Sequence, residues 1–379
     1  MPQPITHYLV CEKSFKNILP GLWHEYQGYA GLGSYGPDFF YSKGMVTEEY
    51  FIRVRKSISQ IRENVAASNY KYVELSDLLH WEGSKDFFCY MLDSIKLNFS
   101  NVSTRNKLKT FAYGYYSHVV TDCIFHPFIY RQSRDHWITH PAENYREHKV
   151  IETLIDLFLL DREKELNRNY QFNPQTECAA KENTNMLDKD LANLINIGLR
   201  NIYSDKMELL KSFDFCDTTA NHHPLHATYN ALLGYNLYEI GKIHLKSSVP
   251  EGQKTVREWS RAEFERVIPQ GMNGFGYSPN QPLLYSYLDL YTFSVMVTEK
   301  IISESEQFFA NSINSSSAFF KESRVPFLKE NYCLDTGLLS EQNSLQENQA
   351  AYHLTRFGFG IEALTDIFES IATKLTTKV

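Results

Sequence analysis

Apolar residues recur at helical spacing along most of the chain, and strand-type alternation is scarce. The pattern predicts a mainly α protein. The first forty residues read as short apolar pieces, such as Ile5–Val10, broken by Gly21, Gly28, Gly31, Gly33 and Gly36. Beyond them Tyr50, Val54, Ile58, Ile61 and Val65 repeat every three or four residues, with Thr47 as cap and Glu48 and Glu49 in the first turn of an amphipathic helix. Val73–His80 leads into His80-Trp81-Glu82-Gly83, where Gly83 stops one segment and Ser84 caps the next, so His80 belongs at a helix end or in a loop. A helix follows over 87–99, and another from about 104 to 126 carries the stripe Leu108, Phe111, Tyr115 and Val119. Pro127 is expected to end that helix near His126, because the residue before a proline is driven from the helical region.

Residues 128–145 read as a polar connection and 164–185 as a polar loop. Between them Ile151, Ile155 and Leu159 mark another apolar face, and Leu187, Leu191, Leu194, Ile195, Gly198 and Ile202 form a later stripe. A helix is expected over about 228–245, a linker over 247–254 and a Gly/Asn/Pro-rich loop over 271–282. A long aromatic helix from 284 to about 309 ends in a Ser/Asn-rich break over 311–317. Asp335-Thr336-Gly337 is a turn, and a last helix runs over about 346–373. The linker suggests one domain over 1–245 and a mostly helical C-terminal extension over 246–379, either a separate domain or a flap packed on the first.

Several polar residues break these apolar faces. His118, Asp122 and His126 follow a four-residue step, which keeps them on one side of their helix, the side of the apolar stripe. Buried imidazoles and carboxylates are costly without partners, and a shared divalent cation removes the cost. The plainer reading is a pair of core histidines with a structural ion pair. His148, Glu152 and Asp156 repeat the step beside Ile151 and Ile155, although exposed His–Glu pairs at this spacing are common. Asp38 follows Gly36-Pro37, a turn signal, and reads alone as a turn residue or cap. His7 and His80 complete a run of five histidines and three acids within the first 152 residues. All are nitrogen or oxygen ligands of the kind zinc takes, and their number suits two or three ions in one cleft. His222-His223-Pro224-Leu225-His226 is a second, carboxylate-free cluster that could also bind metal.

Composition narrows the partners. A net charge of −7 argues against a broad nucleic-acid-binding surface, so no nucleic acid partner is expected. Six cysteines are scattered without a CxxC pair, which excludes a zinc ribbon or a small disulfide scaffold and favours free thiols in a reducing compartment. No signal-peptide layout opens the chain, and no apolar run approaches the roughly 18 residues of a spanning helix, so membrane contact would be peripheral.

The order His7, Asp38, His80, His118-x3-Asp122, His126, His148-x3-Glu152 resembles the zinc-dependent phospholipase C family, related to alpha-toxin-type phospholipases. The likeness has specific spacing over residues 1–160 and is loose over 160–245. It implies a helical phospholipase C-type catalytic domain and hydrolysis of phosphatidylcholine-like glycerophospholipids, at a membrane surface, to diacylglycerol and a phosphorylated head group. It also implies ligand sets. Asp38 and His80 would join His118 and Asp122 on one zinc; His126, His148 and Glu152 would hold a second; His7 and the bridging Asp122 would hold a third. Asp38 would be the general base. Two departures stand out: His126 follows Asp122 at shorter spacing than in familiar members, and the chain opens with Met1-Pro2 rather than a mature tryptophan whose amine binds zinc. The missing signal peptide is similar to a branch exported without one, for instance as a virulence effector; otherwise the protein would be cytoplasmic. Phe275, Tyr277, Tyr285, Tyr287, Tyr291 and Phe293 would shape lipid access or pack the core. The single-strand-specific zinc nucleases resemble the same ligand order but end in His-x3-Asp where this chain has Glu152. A non-catalytic lipid-binding protein is the third reading.

Overall fold

The computed structural model describes residues 4–40, 82–132, 179–180, 183–206 and 287–332, together with 72, 75–76, 78–80, 152, 155–156, 159, 225 and 334. Helices α1 (Pro4–Ile18), α2 (Pro20–Gly33), α3 (Ser84–Asn98), α4 (Val102–Gln132), α5 (Lys189–Ile202), α6 (Tyr287–Ala310) and α7 (Ser316–Phe320) carry most of them. A short antiparallel pair, β1 (Ala179–Ala180) and β2 (Asn183–Leu187), precedes α5. The expected mainly α class holds.

Helix α4 is the axis. Every residue from Leu108 to His126 is buried, on all sides of the helix. The stripe Leu108, Phe111, Tyr115 and Val119 therefore marks only part of a helix enclosed by α1, α2, α3 and α6. It does not stop at His126. It continues through Pro127 to Gln132 and takes in the first residues of the expected polar connection. Pro127 has no N–H for the Cys123 carbonyl, a loss of the kind that costs about 3 kcal/mol in a helix interior; burial of the preceding turns outweighs the local preference.

The glycine-rich N-terminus is also helical rather than broken. α2 contains Gly28, Gly31 and Gly33, with a departure from helical geometry at Tyr26. Its glycines serve a crossing. A Cβ on Gly33 would lie 2.3 Å from the Phe111 carbonyl oxygen, and one on Gly114 would lie 2.4 Å from that of Ala30. Backbone meets backbone here, so two helices approach more closely than side chains permit, and tertiary packing overrides the low helix propensity of glycine.

The expected polar loop before α5 contains the β-pair, and Leu187 ends β2 rather than opening the helical stripe. Asp188 caps α5 by accepting from the N–H groups of Asp190 and Leu191, both at 3.1 Å. The aromatic helix appears as α6 and packs against α1 and α4. Ser14 Oγ donates to the Val295 carbonyl at 3.2 Å, Asn17 to Glu299 at 2.6 Å, and Tyr113 to Glu306 at 2.6 Å. Tyr291 and Phe293 are buried in this packing. Residues from both sides of the expected 245/246 boundary share one hydrophobic cluster. Cys11, Cys89 and Cys123 are buried and form no disulfide among the described residues. No helix among the described residues is long and apolar enough to cross a membrane.

The expected helix over 50–65, the linker over 247–254, the loop over 271–282, the turn at 335–337, the last helix and the side chains of Phe275, Tyr277, Tyr285 and Tyr287 lie outside the described residues. So do the histidines of the 222–226 cluster; Leu225 within it is helical and buried.

Candidate metal centre

Four elements bring side chains to one buried point on α4. Asp122 is at the centre, with no exposed surface. Its Oδ1 lies 3.1 Å from His7 Nε2 and 3.9 Å from His126 Nε2. Its Oδ2 lies 3.0 Å from His118 Nε2 and 3.7 Å from His80 Nε2. His80 Nε2 is also 3.2 Å from Asp38 Oδ1, and His126 Nε2 is 4.0 Å from Glu152 Oε1. Seven of the eight residues in the ligand run thus converge; His148 lies outside the described residues.

Each arrives by a different route. His118, Asp122 and His126 share a face of α4, and His126 sits within that helix rather than at its end. His7 follows the first turn of α1, where the free N–H groups of Ile5 and Thr6 are accepted by Asp156 at 3.1 and 2.8 Å, with the Thr6 hydroxyl on the same carboxylate. Asp156 thus caps α1 from a distant helical segment, while Glu152, one turn earlier, faces His126. Burial, with Glu152 nearby, pushes the Asp156 carboxyl up to about 8. Asp38 sits in a 3-10 turn, Gly36–Phe39, entered through Gly36 in the left-handed region at φ 52°. His80 is helical and precedes α3.

The tautomers decide what the centre can do. His80 Nδ1 is 2.7 Å from the Ser76 carbonyl oxygen, His118 Nδ1 is 3.0 Å from that of Ser34, and His126 Nδ1 is 2.6 Å from that of Leu334. A carbonyl only accepts, so each Nδ1 carries the proton and each Nε2 turns a lone pair toward the carboxylates. Acceptors then face acceptors in a space closed to water. Among the described residues, both Asp122 oxygens, Asp38 Oδ1, His118 Nε2 and both His7 nitrogens are buried without a hydrogen bond. A cation shared among these atoms would remove the cost of burying them unpaired. Two ligand atoms on one tetrahedral zinc, at bond lengths of ~2.0–2.1 Å, stand about 3.4 Å apart; the closest pairs here are 3.0, 3.1 and 3.2 Å apart. Two triplets, His7–His118–Asp122 and Asp38–His80–His118, have their ligand atoms within 4.8 Å of one another. The residues fit a metal. The hydrogen bond from each ring to a main-chain carbonyl is the outer support that metal-binding histidines commonly have.

Electrostatics agree. The His7 ring stacks on His118 at 3.7 Å and 10°. Burial, reinforced by the neighbouring His118, lowers the His7 pKa to about 4, against the pull of Asp122. Burial also works against charge on Asp122, but His118, His126 and His7 around it outweigh that and hold its carboxyl well below the usual range. An anionic Asp122 beside a neutral His7 suits a divalent cation, which needs deprotonated ligands.

A pH dependence follows for the metal-free protein. Unfolded, His7 takes up a proton near 6.5; folded, it does so only near 4. Between these values the unfolded chain binds more protons, so this contribution to stability is complete above 6.5 and is lost as pH falls toward 4. Asp156, pushed up to about 8, works in the opposite direction over the same range, so His7 is read from a difference: the urea midpoint of chelator-treated wild type relative to that of His7→Gln should fall between about pH 7.5 and about pH 5. A difference that does not change with pH would remove His7 as the cause.

Asp156, Ser34, Ser76 and Leu334 support the site without having stood out from the sequence as supports. Asp156 was grouped with His148 and Glu152 by its spacing, and its carboxylate instead holds α1. The other three act through main-chain carbonyls, which every residue has. No curated protein and no solved structure matches the chain. A family model, zinc dependent phospholipase C, matches residues 6–207, which is more than half the chain and spans every residue of the converging centre except the Leu334 support: the protein belongs to the zinc-dependent phospholipase C family.

Proposed function

We propose that this protein is a phospholipase C that cleaves phosphatidylcholine-like glycerophospholipids to diacylglycerol and a phosphorylated head group, with zinc held by His7, Asp38, His80, His118, Asp122, His126, His148 and Glu152. The observation that carries the reading is the set of inward-facing Nε2 lone pairs around the buried Asp122 carboxylate. Bound zinc supplies an acidified water and offsets charge on the phosphate. The absence of cysteine from the ligand set suits a hydrolytic site with an open position rather than a closed structural one.

The chain's own residues divide the remaining work. Asp122 turns one oxygen to His7 and His126 and the other to His118 and His80, and would be shared between ions held on the two sides. Asp38 is the general base. Its Oδ1 is enclosed beside His80, yet its side chain keeps 13% of its surface in solvent, whereas Asp122 keeps none. The free side of Asp38 takes the proton of the attacking water as the new oxygen–phosphorus bond forms. The bond from phosphorus to the glycerol oxygen breaks, and that oxygen leaves as diacylglycerol with the proton returned to it. A base needs access to water, and the partial exposure of Asp38 in its 3-10 turn supports this role.

Metal content and lipid hydrolysis measured on one sample test this. Two or three zinc per chain are expected by elemental analysis, with diacylglycerol release from phosphatidylcholine vesicles abolished by chelation and restored by zinc. Zinc without lipid hydrolysis would redirect the assay to single-stranded DNA. A chain that binds no zinc would overturn the assignment.

A further inference from the structure

The main chain of Leu334 touches two of the converging histidines. Its N–H donates to the His80 carbonyl oxygen at 2.7 Å, and its carbonyl oxygen accepts from His126 Nδ1 at 2.6 Å. One peptide segment therefore ties the helical segment that carries His80 to helix α4, which carries His126. Leu334 lies far beyond residue 207, where the family match ends. Its side chain is fully buried.

The approach to Leu334 is anchored on α3, which follows the His80 segment, and on α4. Asn331 Oδ1 accepts from the N–H groups of Lys85 and Asp86 at 3.0 and 3.3 Å. The residue before α3 is Gly83, which has no side chain to cap it, so Asn331 caps the helix from a distance. Asn331 Nδ2 also donates to Asp86 Oδ2 at 2.7 Å. Tyr332 is buried with its ring 4.8 Å from Phe327, whose carbonyl accepts from the Tyr116 hydroxyl, two residues before His118 on α4.

We propose that Asn331, Tyr332 and Leu334 form a positioning strap of the metal centre, so that residues beyond the family match are part of the catalytic unit. Leu334 sets the His126 tautomer and aims its Nε2, and it ties that aim to the place of His80. This rests on the zinc reading given under Proposed function. A strap that served folding alone would alter melting without altering metal retention.

The test uses the full chain. Asn331→Ala releases the strap from α3 without touching a metal-facing residue. The paired change Asn331→Asp with Asp86→Asn exchanges donor for acceptor and keeps all three hydrogen bonds. Zinc transfer to a chromogenic chelator and the visible spectrum of the cobalt(II)-loaded protein are the readouts. Asn331→Ala should lose zinc about 10- to 100-fold faster and show an altered cobalt spectrum, while the paired variant should return both toward wild type. A folded Asn331→Ala protein with unchanged zinc release overturns the strap. If Asn331→Ala does not fold, histidine-labelled wild type without metal decides by NMR, with His126 assigned by comparison with His126→Gln. A proton on Nδ1 supports the strap, and one on Nε2 overturns it. Wild type that binds no zinc fails at the earlier step and sinks the zinc reading itself.

Discussion

Asp122→Asn should lose zinc and fall about 10³-fold or more in lipid hydrolysis, and its metal-free form should melt below metal-free wild type at neutral pH. Both effects come from one geometry. Oδ1 serves His7 and His126, and Oδ2 serves His118 and His80. An amide of the same shape keeps one acceptor and replaces the other with a donor, so one side of the centre loses its shared oxygen and both lose the charge. Without metal the same change also costs stability. His118, His126 and His7 hold the Asp122 carboxyl well below its usual range, so its charge stabilises the fold at neutral pH and a neutral amide forfeits that. Asp122→Ala should also lose metal and activity, but it leaves a cavity and is the less clean experiment. Differential scanning of chelator-treated and zinc-loaded samples, with zinc content on the same material, reads both effects. An Asp122→Asn protein that keeps its zinc would remove Asp122 from the ligand set.

The helical period alone made His118, Asp122 and His126 legible as one face, because a four-residue step survives whatever the helix packs against. The length of that helix was not legible. Pro127 argued for a stop, and its local penalty is smaller than the packing of a helix enclosed on every side. His7, Asp38 and His80 come from three separate elements, and no periodicity links them; the resemblance supplied their order. The glycines misled for a physical reason. Read singly, Gly28, Gly31 and Gly33 are helix breakers, and the property that breaks isolated helices, the missing Cβ, is the one that lets α2 and α4 touch. The histidine supports at Ser34, Ser76 and Leu334 were not legible because a main-chain carbonyl carries no residue signature. The capping of α1 by Asp156 joins residues 150 apart in sequence, beyond any local pattern.

Gly36→Ala should weaken zinc binding by at least about tenfold and lower the melting temperature by several degrees, whereas Gly21→Ala should do neither. Gly36 has φ 52°, where an L side chain is strained by about 1 kcal/mol. Its Cβ would also lie 2.5–2.7 Å from three atoms of His118. His118 has nowhere to go. Its Nδ1 is held by the Ser34 carbonyl at 3.0 Å, and its ring stacks on His7 at 3.7 Å. Relief therefore requires moving either His118 Nε2 or the turn that carries Asp38, and both contribute to the triplet Asp38–His80–His118. Gly21 is exposed, and a Cβ there meets nothing within 4 Å. Gly33→Ala separates the site effect from a general one. Its Cβ would strike the Phe111 backbone, away from the imidazole, so it should cost stability first and metal second. If Gly36→Ala retained wild-type zinc affinity, the turn would not be packed on His118 as described, and the placement of Asp38 as general base would fall with it.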